Sequence, residues 1–108
     1  MKVYTSAHIL AKAIKSNEDV IRFEILREKI MHDEKNKPLF LKFQEKQLML
    51  QSLDSDETNL ELIKDLKEVF KELNSVEYIK EYFELELKIN QMMSDITKIL
   101  SEAIDIDY

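Results

Sequence analysis

The sequence predicts an all-α protein: a helical bundle of about five helices with a long C-terminal helix, dimerising through its long helices. Three observations carry this expectation. Among 108 residues there is no Gly and a single Pro, so the residues that make tight hairpins and positive-φ turns are missing. Charged residues make up 35% and hydrophobic residues 44%, a mixture that suits helices with solvated outer faces around a modest core. Between Ser75 and Ile104, the apolar residues Tyr78, Tyr82, Leu85, Ile89, Met92, Ile96, Ile99 and Ala103 fall at alternating intervals of four and three. That spacing is a heptad seam, and nothing in it breaks a helix.

Taken in order, the first helix is expected to start at Thr5 or Ser6 as N-cap and to carry Ala7, Leu10, Ala11 and Ile14 on one face. Ser16-Asn17-Glu18-Asp19 reads as a fresh start, a capping side chain followed by acids that suit the positive end of a helix dipole. The second helix then runs to about Met31, with Phe23, Leu26 and Ile30 inward and Val20, Ile21 and Ile25 widening the row. His32 to Lys37 is a polar connection closed by Pro38, which disfavours helix at Lys37 and can open one itself. A third helix follows with Leu39, Phe40, Phe43, Leu50 and Leu53, interleaved with Gln44, Gln47 and Gln51.

Asp54-Ser55-Asp56-Glu57 is the most polar short run and forms the next loop. Thr58 with Glu61 fits a capping box, and Leu62, Ile63, Leu66, Val69, Phe70 and Leu73 give a clean stripe for a fourth helix. Asn74 can stand in for glycine at its end and Ser75 can cap the next, so a tight corner and antiparallel packing of helices four and five are expected. No repeat or low-complexity segment interrupts a single helical domain over residues 1–108.

The last helix carries the functional inference. A helix of about 30 residues is roughly 45 Å long, against a radius of gyration of about 13 Å for a compact chain of this size. Ile79, Met93 and Leu100 flank the seam, while Phe83 and Leu87 lie nearly opposite it, so the helix has apolar surface for partners on two sides. Self-association follows. The candidate dimer interface is Tyr82, Leu85, Ile89, Met92 and Ile96, with core packing by the same residues as the alternative.

Charge and composition exclude several classes. The net charge of −6, with 16 basic residues interspersed among 22 acidic ones, opposes a phosphate backbone, so direct nucleic-acid binding is disfavoured. Without cysteine there is no disulfide, thiolate nucleophile, Cys-ligated zinc or all-Cys iron–sulfur cluster. No secretory signal and no run of about 20 apolar residues is present, so a cytoplasmic protein without membrane association is expected.

No constellation of reactive residues stands out. His8 and His32 lack a second ligand at metal-binding spacing, and neither follows a Glu by three positions, which rules Glu84, Glu86 and Asp95 out of a di-metal bundle pattern. Asp105 and Asp107 read as an acidic tail, and Met49, Met92 and Met93 as soft packing material. The absence of Gly removes the backbone approach used by most phosphate loops, so no enzyme activity and no cofactor are expected. The alternative reading is a small-ligand- or metal-binding bundle, for which Gln44, Gln47 and Glu86 are the polar candidates.

The run Ala7-His8-Ile9-Leu10-Ala11-Lys12-Ala13-Ile14-Lys15-Ser16 resembles the start of the YlbF/YmcA/YheA-like small helical proteins of Gram-positive bacteria. Leu73-Asn74-Ser75, Val76, Tyr82-Phe83, Glu86 and Asn90-Gln91-Met92-Met93 with Ile96, Ile99 and Ile104 look like that family's long final helix. The resemblance implies a dimer formed through long helices, with possible higher assemblies. Some relatives are non-catalytic subunits of a complex that assists an endoribonuclease and so affects biofilm formation, competence and sporulation. That complex holds iron–sulfur clusters on cysteines, which this chain lacks, so it resembles the cysteine-free branch. The function expected is a non-enzymatic interaction or regulatory protein whose partners are itself and another protein, such as a member of an RNA-processing complex.

Overall fold

The computed structural model describes residues 2–53 and 59–104. It contains five helices, α1 (Lys2–Lys15), α2 (Glu18–Met31), α3 (Lys37–Ser52), α4 (Leu60–Asn74) and α5 (Glu77–Glu102), and no strand among the described residues. The all-α class expected from the composition is what the chain adopts.

Side chains with short polar reach set the corners. α1 starts at Lys2, earlier than the Thr5 or Ser6 cap, because nothing between Lys2 and Tyr4 opposes a helix and hydroxyl residues cost little inside one. At its far end the Ser16 hydroxyl donates to the Lys12 carbonyl at 2.9 Å. The Asn17 Oδ1 accepts from the N–H groups of Asp19 (2.9 Å) and Val20 (3.3 Å), so the fresh start at this point is a true N-cap.

Asp33 organises the connection between α2 and α3. Its carboxylate accepts from the backbone N–H of Lys35 and of Asn36, both at 3.1 Å, and from the Asn36 side-chain amide at 2.8 Å. Pro38 then sits in the first turn of α3, where its missing N–H costs nothing. The α4 cap is Asn59, whose Oδ1 accepts from Leu62 N–H at 2.9 Å. Thr58, offered for that role by its spacing to Glu61, and the Asp54 to Glu57 loop lie outside the described residues.

The corner after α4 differs from its sequence reading. Asn74 is the last helical residue and Ser75 follows in right-handed geometry (φ −76°, ψ −16°), so no left-handed residue ends the helix. The Ser75 hydroxyl donates to the Glu72 carbonyl at 2.6 Å and is thus engaged with α4, not with the start of α5. Val76, the residue before α5, takes the N-cap position, its carbonyl accepting from the N–H groups of Ile79 and Lys80.

Two compact units divide the chain: one of residues 1–25 and 82–108, the other of residues 26–81. The second holds most of the buried apolar side chains: Leu26, Ile30, Phe40, Phe43, Leu62, Leu66, Val69, Leu73 and Ile79. There α3 packs on α4, with the Phe43 and Phe70 rings 5.9 Å apart and Lys46 paired to Asp65 at 3.3 Å. Fully burying an aliphatic side chain such as Leu73 or Ile79 stabilises by about 1.5–3 kcal/mol, so α4 and the first turn of α5 are anchored strongly. The first unit is different: its buried side chains among the described residues are Tyr82, Phe83 and Leu85, all on α5, and α1 has none.

Candidate functional site

α5 has 26 residues, about 39 Å at 1.5 Å per residue, and forms as an unbroken helix because no Gly or Pro interrupts it. Its seam is covered unevenly. Tyr82 and Leu85 are buried, Ile89, Met92 and Ile96 are half-buried, and Ile99 is 65% exposed. All five residues singled out for an interface therefore share one stripe. Tyr82 and Leu85 are already packed within the single chain, and Ile89, Met92 and Ile96 keep surface to offer.

The buried start of the stripe is aromatic. Phe23 of α2 stacks on Tyr82 with centroids 4.6 Å apart and planes 18° from parallel, and Phe83 meets Tyr82 edge-on at 5.6 Å. Phe83, which the spacing puts nearly opposite the seam, is buried, whereas Leu87 on the same side is exposed. Coverage on two sides thus holds for the first turns of the helix and not beyond.

α1 extends the uncovered apolar surface. Val3, Tyr4 and Ile9 are exposed, and Leu10 and Ile14 are half-buried. Lys2, Val3, Ser6, Ala7 and Leu10 line an open groove with Leu100 of α5, about 630 Å³ in volume. Exposed apolar surface that continues from one helix to the next marks an interaction site more often than isolated exposed leucines do. Sequence reasoning placed Leu10 and Ile14 on an inward face but did not single out this groove, whose signal was the small residue Ala7 between apolar neighbours.

Burial pushes the Glu86 carboxyl above the ordinary carboxylate range. Gln44 and Gln47, the other polar candidates for an internal ligand site, are exposed on α3 rather than inward-facing. His8 is exposed, and the His32 Nδ1 lies 2.9 Å from the Glu28 carbonyl and 3.4 Å from its carboxylate, which places it as a helix C-terminal partner. No group of three or more His, Asp or Glu side chains among the described residues could hold a metal ion; Asp105 and Asp107 lie outside them. No described helix is long and apolar enough to cross a membrane.

Similarity to known proteins agrees with this architecture. The chain is 36% identical to the UPF0342 protein of Halothermothrix orenii, over 98% of this chain and 92% of that protein. It is 33% identical to the UPF0342 protein of Caldicellulosiruptor saccharolyticus, over 96% of this chain and 88% of that protein. The family described as "Control of competence regulator ComK, YlbF/YmcA" matches residues 3–105. With nearly the whole chain inside that match, the protein belongs to the YlbF/YmcA family.

Proposed function

We propose that the protein is a non-enzymatic, cytoplasmic interaction protein that works as a homodimer, an accessory factor in RNA processing or developmental regulation of the kind that governs biofilm formation, competence and sporulation. The observation that carries the dimer is the uneven covering of the first unit. Its α1 has no buried side chain, and the α5 stripe from Ile89 through Met92 and Ile96 is only partly covered. A second copy laid along this stripe removes that apolar surface from water, at about 25 cal/mol per Å². Tyr82 and Leu85 form the buried end of the same stripe and hold it rigid.

Regulation, rather than catalysis, is supported by the family's description, which names control of a competence regulator. A dimer of this kind acts by presenting helical surfaces to another protein. Sedimentation equilibrium across micromolar concentrations tests the dimer: a folded monomer throughout that range would refute it. Affinity capture from the native cell tests the pathway, with components of an RNA-processing complex expected among the co-purifying proteins and their absence counting against that assignment.

A further inference from the structure

The packed pair α3 and α4 has two chemically different edges. At one, Lys46 pairs with Asp65. The other is open, a groove of about 300 Å³ lined by Phe43, Gln47, Leu50, Gln51, Leu66, Lys67 and Phe70. Its floor is apolar, its polar lining is Gln47, Gln51 and Lys67, and among the described residues no carboxylate lines it, in a chain with more acidic than basic residues.

Charge is sorted around α4 in a way that explains this. Leu62, Leu66, Val69 and Leu73 form the buried stripe. Lys64, Lys67 and Lys71, at intervals of three and four, share one exposed face, and Glu61, Asp65, Glu68 and Glu72 share another. Phe70, 40% exposed, lies between the buried stripe and the lysines. Lys67 therefore lines the apolar groove, with Lys64 and Lys71 on the same exposed face of α4, while the acids fall on the flank that carries Asp65. Among the described residues none of the three lysines has an ion-pair partner.

We propose that the α3–α4 groove docks an acidic amphipathic helix of a partner protein. Apolar side chains of that helix seat between Phe43, Leu50, Leu66 and Phe70, and its carboxylates meet Lys64, Lys67 and Lys71. Charge complementarity selects the occupant: an apolar helix face fits a groove of this form, and a lining whose one charged group among the described residues is Lys67 repels a basic helix and steers an acidic one. α1 of a second copy is a poor match, since it carries Lys2, Lys12 and Lys15 and no acid. This surface is built from residues of the second unit and shares none with the α5 stripe, so the inference stands whether or not the dimer does.

Two designed helical peptides test it, sharing one face of Leu and Phe and differing only in flanking residues, Glu in one and Lys in the other. Each is fluorescein-labelled and titrated with the full chain at low and physiological salt, followed by anisotropy. The Glu-flanked peptide is expected to saturate and to bind at least about tenfold more tightly than its Lys-flanked counterpart, the scale of a few rim ion pairs acting together. The triple variant Lys64→Glu, Lys67→Glu, Lys71→Glu should reverse that order, and Gln47→Trp should block both peptides, with circular dichroism showing the folds intact. Equal binding of the two peptides, or binding of neither, overturns the proposal. So does poly(U) binding that the triple variant abolishes while peptide binding is unchanged, or a change of oligomeric state in the triple variant without any peptide effect.

Discussion

The Tyr78 hydroxyl donates a hydrogen bond to the Asp33 carboxylate, joining the first turn of α5 to the α2–α3 connection across 45 residues of sequence. Lys29 lies over the Tyr78 ring, its Nζ 4.3 Å from the centroid. Asp33 is held down to about 2 by the Tyr78 hydroxyl first, then by the Asn36 side chain and the surrounding backbone N–H groups. Burial first, and the neighbouring Asp33 second, push the Tyr78 hydroxyl well above its ordinary value.

Removing that hydroxyl therefore has a definite pH signature. Tyr78→Phe is expected to lower the melting temperature at pH 7 by on the order of 5 °C. Because the folded-state value of Asp33 is depressed, its contribution is present above about pH 4 and is lost as pH falls toward 2. The gap between wild type and variant should close over that window. Tyr78 is raised, so wild-type stability should also decline as pH climbs beyond about 10, where the unfolded tyrosine ionises, and the variant should lack that decline. Thermal melts from pH 2 to 11 check both limbs.

Core and stripe should respond unequally to truncation. Leu73→Ala, at a fully buried position, is expected to cost about 2–5 kcal/mol in chemical denaturation. Ile99→Ala, exposed on α5, should cost no more than about 0.5 kcal/mol in the stability of a single chain.

If two copies share the α5 stripe, the melting temperature rises with protein concentration. Ile96→Glu should abolish that dependence by placing a charge in the shared surface, and Leu48→Glu on the outer face of α3 should leave it intact. Calorimetry over a hundredfold concentration range distinguishes the two, and identical behaviour of the variants would exclude the stripe.

Loss of a corner cap should also be measurable. Asn59→Ala and Asn17→Ala each delete an oxygen that accepts from exposed helix N–H groups, and each should cost roughly 0.5–2 kcal/mol in urea melts. Replacement of Asn59 by Gly should cost only a few tenths of a kcal/mol, because glycine leaves those N–H groups open to water.

Glu86 offers a stabilising change. Its raised folded-state value means that the charged form is disfavoured in the folded chain, so its stabilising influence is present at low pH and declines as pH rises past the ordinary carboxylate range. Glu86→Gln is expected to stabilise at pH 7, by at most about 0.5 kcal/mol given solvent screening of a half-exposed group. The gain should vanish below about pH 4.

Periodicity made the helices legible. The α4 stripe from Leu62 to Leu73 and the end of α2 at Met31 follow from spacing and from the polar run before Pro38. Caps were less legible because adjacent polar residues compete: Thr58 and Asn59 both suit an N-cap, and only the bond to Leu62 decides. At the α4–α5 corner, spacing offered Ser75 to the following helix, but its hydroxyl is taken by Glu72.

Coverage was the least legible property. Ile21 and Ile25 read as widening an inward row and are exposed, while Phe83 and Leu87 read together as a second apolar surface, of which Phe83 is buried and Leu87 exposed. Which side of a helix finds a neighbour depends on contacts distant in sequence, which local spacing does not encode. The α5 heptads likewise form one unbroken pattern, and nothing in the spacing marks where burial gives way to exposure between Leu85 and Ile99. The α3–α4 groove was hidden for the same reason, since it joins Gln47 and Gln51 of α3 to Leu66 and Phe70 of α4, which are distant in sequence.

Helices of about 12–15 residues are marginal in water without tertiary support, and α1, at 14 residues, has no fully buried side chain. Its amide protons should therefore trade with deuterium almost as fast as those of a free peptide whenever the protein stands alone. Slow exchange there, appearing only as the solution is concentrated, would make the backbone of Lys2–Lys15 a label-free gauge of how many copies have come together.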